Sequence, residues 1–492
     1  MRKNNIYIYI VLSLAIVPTI VKFLFFPSYP GSDDAFIHAR IVSNITSGLG
    51  WGVNINEPVN MSTAPLYTCI LSIIAIFTND FFFPAMIFSC LLSAFSIIIT
   101  YLIISSLTTS NIVRLLGTIL AAFNIHLWRW NGTLMETIPA VALTLLIFYF
   151  CIRFSKNLTT KKIIWIGVVQ GAAILVRPES ILLLLSIILY LRLNTTRNLI
   201  SIVVPLLFAV ILTILPWIFF SLSYLHSLVP TTYYAKTTIF HWVNITVLKA
   251  VTIILATGYL PLLIFYILCL FFAPQLQSKE RSFLIQKILP FFLFPLILIT
   301  FYYFRTPGLM ASARYFFPAL SIIPIIGVLT LDKYFIYLKK KLIYWTCFLM
   351  CFIQIGLTAY FAGTVVVPVL TGFQSNYVET MSSVAKFLEF NCKPVDNVLV
   401  EADIGVISFY GNSKFKIADG GGLASPNLRG LNFKERISVS KALFVVQSLG
   451  TRSNEYAGED NRLKFLFSKS FKSHGIAESK KIYYCNVYRV IH

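Results

Sequence analysis

Two adjacent aspartates, Asp33 and Asp34, lie in a polar stretch, 27–66, that follows the first long apolar run of the chain. The same stretch carries Arg40 and Glu57. Ionised side chains at the mouth of a membrane helix are costly, so a membrane protein that keeps them there generally uses them. A carboxylate in this position can accept the proton of an acceptor hydroxyl, and a close second carboxylate can raise its pKa. We predict that Asp33 and Asp34 are catalytic.

The alternative role for this pair is helix capping. An amphipathic helix is predicted over Ala35–Ser47, and a Ser or Asp before a helix satisfies its free backbone N–H groups. We favour catalysis, with Ser32 or Asp33 acting as the cap.

Cations that could bind a phosphate lie much later in the chain, at Arg177, Lys236 and Arg314. Arg forms bidentate hydrogen bonds to phosphate oxygens, and Lys acts as a point charge. A lone cation at a helix end can instead extend to lipid headgroups, and Glu136, which opens an apolar helix, can simply complement the helix dipole. We predict a substrate-binding set with a donor phosphate at its centre: Arg40, Glu57, Glu136, Arg177, Glu179, Tyr234, Lys236, Arg314 and Tyr315.

Cofactor signals are weak. The eight cysteines and six histidines have no metal-ligand spacing, and six of the cysteines lie in or beside apolar runs, where they pack as small apolar residues. The pair Cys392 and Cys485 can form a disulfide if the polar C-terminal region is extracytoplasmic. No cofactor is required and no metal site is predicted, although the aspartate pair can hold a divalent ion.

The composition is that of an integral membrane protein. Of the 492 residues, 57% are hydrophobic and 12% charged, against about 25% charged in soluble domains. The net charge of +21 comes from basic residues in short loops between apolar runs. That pattern fits the positive-inside rule and argues against nucleic-acid binding.

Placing the basic loops in the cytoplasm predicts about eleven crossings, with the N-terminus cytoplasmic and the C-terminal region extracytoplasmic. Ala64–Thr78 is too short to cross and is predicted to be interfacial or re-entrant. The run from Ile163 to Leu191 is divided by Arg177-Pro178-Glu179 into two short crossings. The other nine crossings are Ile6–Phe26, Phe82–Leu107, Ile112–Trp128, Ile138–Ile152, Ser201–Phe220, Val247–Phe272, Ile288–Phe304, Phe316–Leu331 and Leu342–Val369.

The chain divides into a transmembrane module, 1–374, with a first outer loop at 27–81, and a small α/β domain, 375–492. An amphipathic helix is predicted over Asn376–Phe390. Strands are predicted from short β-rich runs at Asn397–Val400, Val406–Tyr410, Ala442–Gln447 and Ile482–Val490.

Several motifs resemble, in order, those of GT-C glycosyltransferases that use polyprenyl-phosphate sugars. They are Asp33-Asp-Ala-Phe-Ile37 with Arg40, Asn54-Ile-Asn-Glu57-Pro-Val59, Ala64-Pro-Leu66, Met135-Glu136-Thr137, Arg177-Pro-Glu179, Pro230-Thr-Thr-Tyr-Tyr-Ala-Lys236, Arg314-Tyr-Phe-Phe-Pro318 and Asp403-Ile-Gly405. The likeness is greatest to arabinofuranosyltransferases of cell-wall arabinan and to pilin-modifying relatives. Thr231, Ser62-Thr63 and Leu134 depart from the pattern, which leaves the sugar open.

The resemblance implies a polytopic α-helical enzyme with the GT-C fold in the inner membrane of the cell. It would transfer a sugar such as arabinofuranose from a polyprenyl-phosphate donor to a glycan, protein or lipid acceptor at the outer face. One aspartate of the pair would act in catalysis, and the Arg and Lys residues would hold the lipid phosphate. The alternatives are a transporter of lipid-linked glycans, which should carry ionisable residues through both halves of the membrane, and a non-catalytic assembly partner.

Overall fold

The computed structural model describes residues 2–27, 30–78, 80–236, 245–272, 278–305, 313–401, 403–449, 460–472 and 482–491. Most of these residues are helical. The first twelve helices are α1 Arg2–Phe25, α2 Asp33–Thr46, α3 Pro65–Ile76, α4 Phe82–Leu107, α5 Asn111–Ala122, α6 Ile125–Trp130, α7 Thr137–Ser155, α8 Thr160–Val176, α9 Leu183–Asn194, α10 Leu199–Ser223, α11 Thr231–Lys236 and α12 Ile245–Phe272.

The chain continues with α13 Ser278–Phe283, α14 Leu289–Arg305, α15 Ala313–Leu320, α16 Ile323–Phe335, α17 Lys340–Phe361, α18 Val367–Gly372 and α19 Glu379–Asn391. Short π-helical segments at Ala362–Val366 and Phe373–Val378 join the last three of these into one helical run. The helix passes through position 375 without a break, so the predicted division of the chain there stays a prediction.

Among the described residues, eight helices are long and apolar enough to cross a membrane. They correspond to eight of the predicted crossings. The other three fall on the shorter helices α5, α8 and α9. The run predicted as Ile112–Trp128 is interrupted, because Asn124 caps a separate helix, α6, by accepting from the N–H groups of His126 and Leu127.

Two predicted features of the helices are seen in the structure. The run predicted as Ala64–Thr78 forms one 12-residue helix, α3, with Pro65 in its first turn, and its interfacial or re-entrant position stays a prediction. Pro178 interrupts the run between α8 and α9, where Pro178–Leu182 forms a single 3₁₀ turn. The residue before a proline is disfavoured in the α region, and Arg177 is accordingly extended, with φ −148° and ψ 115°.

The C-terminal region contains a five-stranded sheet with two helices, α20 Gly405–Tyr410 and α21 Phe433–Ser440. The strands are β1 Asn397–Glu401, β2 Lys416–Asp419, β3 Ala442–Leu449, β4 Leu463–Lys472 and β5 Ile482–Val490. Their order is β2-β1-β3-β5-β4. Strand β1 is parallel to β2 and β3, and β5 is antiparallel to β3 and β4.

The strand prediction for Val406–Tyr410 is wrong, because that segment is helix α20. Strands β2 and β4 were not predicted. Cys392 and Cys485 are both free thiols, so no disulfide joins them.

One hydrophobic cluster crosses the boundary between the helical bundle and the sheet. It combines residues of the 27–81 segment, such as Phe36 and Trp51, with Tyr377 of the long helical run and Val400 and Phe444 of the sheet. The sheet therefore packs directly on the loop that carries the aspartate pair.

Candidate active site

A cavity of about 440 Å³ lies where α2, the Arg177 turn, the 228–233 segment and the adjacent ends of α14 and α15 meet. Helix α2 contributes Asp34, Ile37, His38 and Ile41 to the wall. Their spacing of three and four residues places them on one face of the helix. The polar lining from other elements is Ser62, Thr63, Glu136, Arg177, Glu179, Thr232, Tyr233, Tyr302, Arg314 and Tyr315.

Arg314 and Asp34 form an ion pair at this cavity. The guanidinium also donates to the hydroxyl of Ser32 at 3.1 Å and to that of Tyr315 at 2.9 Å. The Asp34 side chain is 38% exposed and that of Arg314 is 12% exposed. The carboxylate is therefore the part of this pair that solvent and small molecules can reach.

Arg177 is the more deeply buried cation, with a side-chain exposure of 5%. Its Nη2 lies 3.0 Å from Oε1 of Glu179 and 3.9 Å from Oε1 of Glu136, and its Nη1 donates to the carbonyl of Arg314 at 2.6 Å. The ring of Tyr315 lies against both guanidinium groups. The centre of the ring is 5.0 Å from Cζ of Arg177 and 4.9 Å from Cζ of Arg314. This contact fixes the spacing of the two cations.

Glu136 immediately precedes α7 and faces the cavity. Its Oε2 is 3.8 Å from Nε2 of His38, whose Nδ1 lies 3.2 Å from the hydroxyl of Thr68. Burial alone would raise the pKa of Glu136, but His38 and the guanidinium of Arg177 outweigh it and hold that pKa well below its usual value. Glu136 is therefore a permanent anion that neutralises part of the arginine charge.

Glu179 completes this network, because it accepts a hydrogen bond of 2.6 Å from the hydroxyl of Tyr302. Each arginine at the cavity thus has carboxylate partners. A phosphate that enters must compete with them, and the exposed pair of Arg314 and Asp34 is the more open to such exchange.

Asp33, although adjacent to Asp34, faces away from the cavity. Its carboxylate accepts from the backbone N–H of Gly405 at 2.7 Å, from that of Val406 at 2.9 Å and from the hydroxyl of Tyr377 at 3.2 Å. Burial, together with the nearby charge of Asp403, raises the pKa of Asp33, and the two N–H groups oppose that rise. It does not cap its own helix, and Ser32, the residue before α2, makes no capping hydrogen bond either.

Three other predicted site residues lie between elements instead of at the cavity. Arg40 is buried and donates to the carbonyl of Val53 at 3.1 Å and to the hydroxyl of Ser413. Glu57 forms a half-exposed ion pair of 2.7 Å with Lys416. Tyr234 is exposed, and the guanidinium of Arg429 lies 5.1 Å from the centre of its ring.

The structure therefore brings together six of the predicted site residues: Asp34, Glu136, Arg177, Glu179, Arg314 and Tyr315. Lys236 ends α11, but its side chain lies outside the described residues. Sequence reasoning missed His38, which is one helical turn after Asp34 and could have been found from that spacing. It also missed Tyr302, for which no local signal exists.

Within the described part of the chain there is no group of three or more His, Cys, Asp or Glu residues that could hold a metal ion. The two aspartates of the pair have separate partners, so they do not form a joint ligand set in this structure.

Comparison with known proteins finds one family model that matches part of the chain. A family model described as dolichyl-phosphate-mannose-protein mannosyltransferase matches residues 62–220. A search of curated protein sequences finds no match.

Solved structures of similar fold cover most of the chain. ArnT from Cupriavidus metallidurans, bound to undecaprenyl phosphate, is 12% identical, with a TM-score of 0.62 and coverage of 97% of each chain. The oligosaccharyltransferase AglB from Archaeoglobus fulgidus, in complex with an inhibitory peptide and a dolichol-phosphate, is also 12% identical. Its TM-score is 0.52, with 94% of this chain and 73% of that one covered. The chain therefore has the GT-C fold predicted from its motifs.

Proposed function

We propose that this protein is a membrane glycosyltransferase that uses a polyprenyl-phosphate-linked sugar. The observation that carries the proposal is the cavity in which one accessible carboxylate, Asp34, lies against Arg314, with Arg177 one aromatic ring away. A glycosyl transfer needs a base for the acceptor hydroxyl and cations for the departing phosphate. This cavity holds both, and its residues come from motifs that are far apart in the chain.

The donor phosphate binds at the two guanidinium groups. Since Arg314 is paired with Asp34 in this structure, a bound phosphate takes over the hydrogen bonds of Arg314 and releases the carboxylate. Arg177 stays fixed by Glu179 and Glu136 and acts as a second, buried positive charge. Lys236, in the same motif as Tyr233, is proposed as a further cation.

In the transfer step the bond between the anomeric carbon and the phosphate oxygen breaks, and the acceptor oxygen bonds to that carbon. The acceptor proton passes to Asp34, and polyprenyl phosphate leaves with its negative charge held by Arg314 and Arg177. Electrostatic stabilisation of a leaving group at preorganised donors is generally the largest catalytic contribution in such sites.

The apolar residues of the cavity suit a lipid carrier. Ile181, Leu228 and Phe301 line it, and these residues are 53%, 49% and 39% exposed. Exposed apolar side chains beside a polar cavity in a membrane protein provide a path for a polyprenyl chain from the phosphate to the lipid. This feature supports the donor class, as does the undecaprenyl phosphate bound to ArnT.

The finer features of the function are proposed from the motifs. The sugar is a pentofuranose such as arabinose, and the acceptor is a glycan, protein or lipid. The protein lies in the inner membrane with its N-terminus cytoplasmic, the α/β domain extracytoplasmic and the cavity at the outer face.

The test is transfer or slow hydrolysis of radiolabelled polyprenyl-phosphate-arabinose by the purified full-length protein, alongside the mannose and glucose carriers. Asp34→Asn should lower turnover about 100- to 10,000-fold, to a small residual rate, without changing size-exclusion behaviour. Asp80→Asn is the matched control, because Asp80 is an exposed carboxylate of the same outer loop whose Oδ1 accepts from the N–H of Phe82. An asparagine oxygen can keep that bond, so the control should retain wild-type activity.

The absence of turnover by the wild-type protein with all three donors would contradict the proposal. Full activity of Asp34→Asn would contradict the assigned base. Movement of the intact donor across reconstituted vesicles, without cleavage, would instead support a transporter.

A further inference from the structure

Asp33 joins the outer loop to the α/β domain at the start of helix α20. Its two carboxylate oxygens accept the first N–H groups of that helix, from Gly405 at 2.7 Å and Val406 at 2.9 Å. The first N–H groups of a helix have no partner within the helix itself. Here the side chain of Asp33, 372 positions before Gly405, is the acceptor for them. The hydroxyl of Tyr377, on the long helical run, lies 3.2 Å from the same carboxylate and 3.0 Å from Oδ2 of Asp403, so its one proton is shared between the two.

Gly405 is required for this contact. A Cβ atom at that position would lie 2.1 Å from the carbonyl oxygen of Asp33 and 2.6 Å from its Oδ2. The nearest atom is backbone and cannot rotate away, so any side chain at 405 would push α20 off α2. Phe36, three residues after Asp33, packs against Phe409 and Tyr410 of α20 with ring centroids 5.8 and 6.0 Å away. The two helices are therefore locked at a short distance.

We infer that Asp33 is a positioning residue whose contact with α20 sets the rotation of α2 and so places Asp34 in the cavity. Consecutive residues of an α-helix are about 100° apart around its axis. Rotating α2 so that Asp33 meets α20 therefore turns Asp34 towards Arg314, and a different rotation would lose both contacts together. The inference rests on the proposed function of Asp34 as the base.

The α/β domain is then part of the catalytic unit. Its Leu423 lines the cavity, and the carbonyl of that residue accepts from the hydroxyl of Thr231 at 2.7 Å. The loop before Leu423 is held by Asp419, whose carboxylate accepts from the N–H groups of Gly421 and Ala424, each at 2.8 Å. Docking of the domain thus sets the position of Asp34 and also closes one side of the cavity.

The test compares Asp33→Asn, Gly405→Ala and Tyr377→Phe in the full-length protein, with polyprenyl-phosphate-arabinose or whichever of the three donors the wild type turns over. A misplacement of about 1 Å in a catalytic group can lower rates about 100-fold. We expect kcat to fall at least tenfold for the first two variants, with the donor KM within about twofold. Tyr377→Phe removes one of the hydrogen bonds and should lower kcat by about two- to tenfold.

A double variant separates positioning from loss of folding. If Asp33 acts only through Asp34, adding Asp33→Asn to Asp34→Asn should not lower the residual rate further. Lys416→Gln is the matched control, because it alters an exposed contact of the same interface and should leave kcat unchanged.

Wild-type kcat in both Asp33→Asn and Gly405→Ala, in a protein whose Asp34→Asn variant keeps only a small residual rate, would overturn the inference and leave the proposed function standing. A further loss in the double variant would also overturn it, because Asp33 would then act independently of Asp34. If Gly405→Ala and Asp33→Asn do not fold, the milder variant Tyr377→Phe tests the inference, and an unchanged kcat in that variant would overturn it. If the wild type turns over none of the donors, the proposed function itself fails.

Discussion

The two arginines at the cavity should respond differently to the same substitution. Arg314 is paired with Asp34, which is 38% exposed and can be hydrated when its partner is removed. Loss of such a partly exposed pair costs about 1 kcal/mol or less in stability. Arg177 is paired with Glu179 and Glu136, whose side chains are 16% and 9% exposed. Its loss leaves two buried carboxylates, at a cost of about 3–5 kcal/mol.

Arg314→Gln should therefore fold normally and lose activity. Removing one preorganised donor to a developing charge costs about 2.7–4 kcal/mol, or about 100- to 1,000-fold in rate. Arg314→Lys keeps the charge but not the planar fork, so its activity should fall between those of Arg314→Gln and the wild type. Arg177→Gln should lower both the thermal midpoint and the activity, because it leaves two buried carboxylates without their partner and also removes one of the two cations proposed to hold the phosphate.

The assay is kcat/KM for donor turnover measured beside thermal unfolding in detergent for all three variants. The reasoning would be refuted if Arg314→Gln kept activity within threefold of the wild type. It would be refuted equally if Arg177→Gln were as stable as Arg314→Gln, because the difference in burial would then have no energetic consequence.

Three further results are expected. Since the pKa of Glu136 is held below its ordinary value of 4.5, its charge stabilises the fold above about pH 4.5. The midpoint difference between wild type and Glu136→Gln should therefore shrink as the pH falls below that value, as followed by thermal scans. Tyr302→Phe loses a hydrogen bond to the charged Glu179, worth about 1.5–3 kcal/mol, and should lower the midpoint. The pair Glu57–Lys416 is half-exposed, so Lys416→Gln should change the midpoint little, and not at all at 1 M salt.

The membrane part of the fold follows from the sequence because its signals are strong and local. Apolar runs, basic loops and a proline after Arg177 lead to the eight long helices and to the break between α8 and α9. Length alone does not separate α5 from α6, since a single capping residue, Asn124, divides a continuous apolar run.

The sheet was predicted less completely, for reasons visible in particular segments. Val406–Tyr410 is short and apolar, which fits a strand as well as a helix. In the structure this segment is helical, and the first N–H groups of the helix donate to the carboxylate of Asp33, which is distant in sequence. No local pattern predicts that contact. Strand β4 lies at the edge of the sheet and contains three lysines, as edge strands often do, so it lacked the apolar signal of a buried strand.

The aspartate pair shows where sequence reasoning about a site stops. Adjacency suggested two carboxylates at one reaction centre, but on a helix adjacent side chains point in different directions. Asp34 shares its face with Ile37, His38 and Ile41 and reaches the cavity. Asp33 is on the face that meets the α/β domain. Asp34 is thus proposed to act in the chemistry and Asp33 to position it. This difference depends on a contact of Asp33 with Gly405, which lies 372 positions further along the chain.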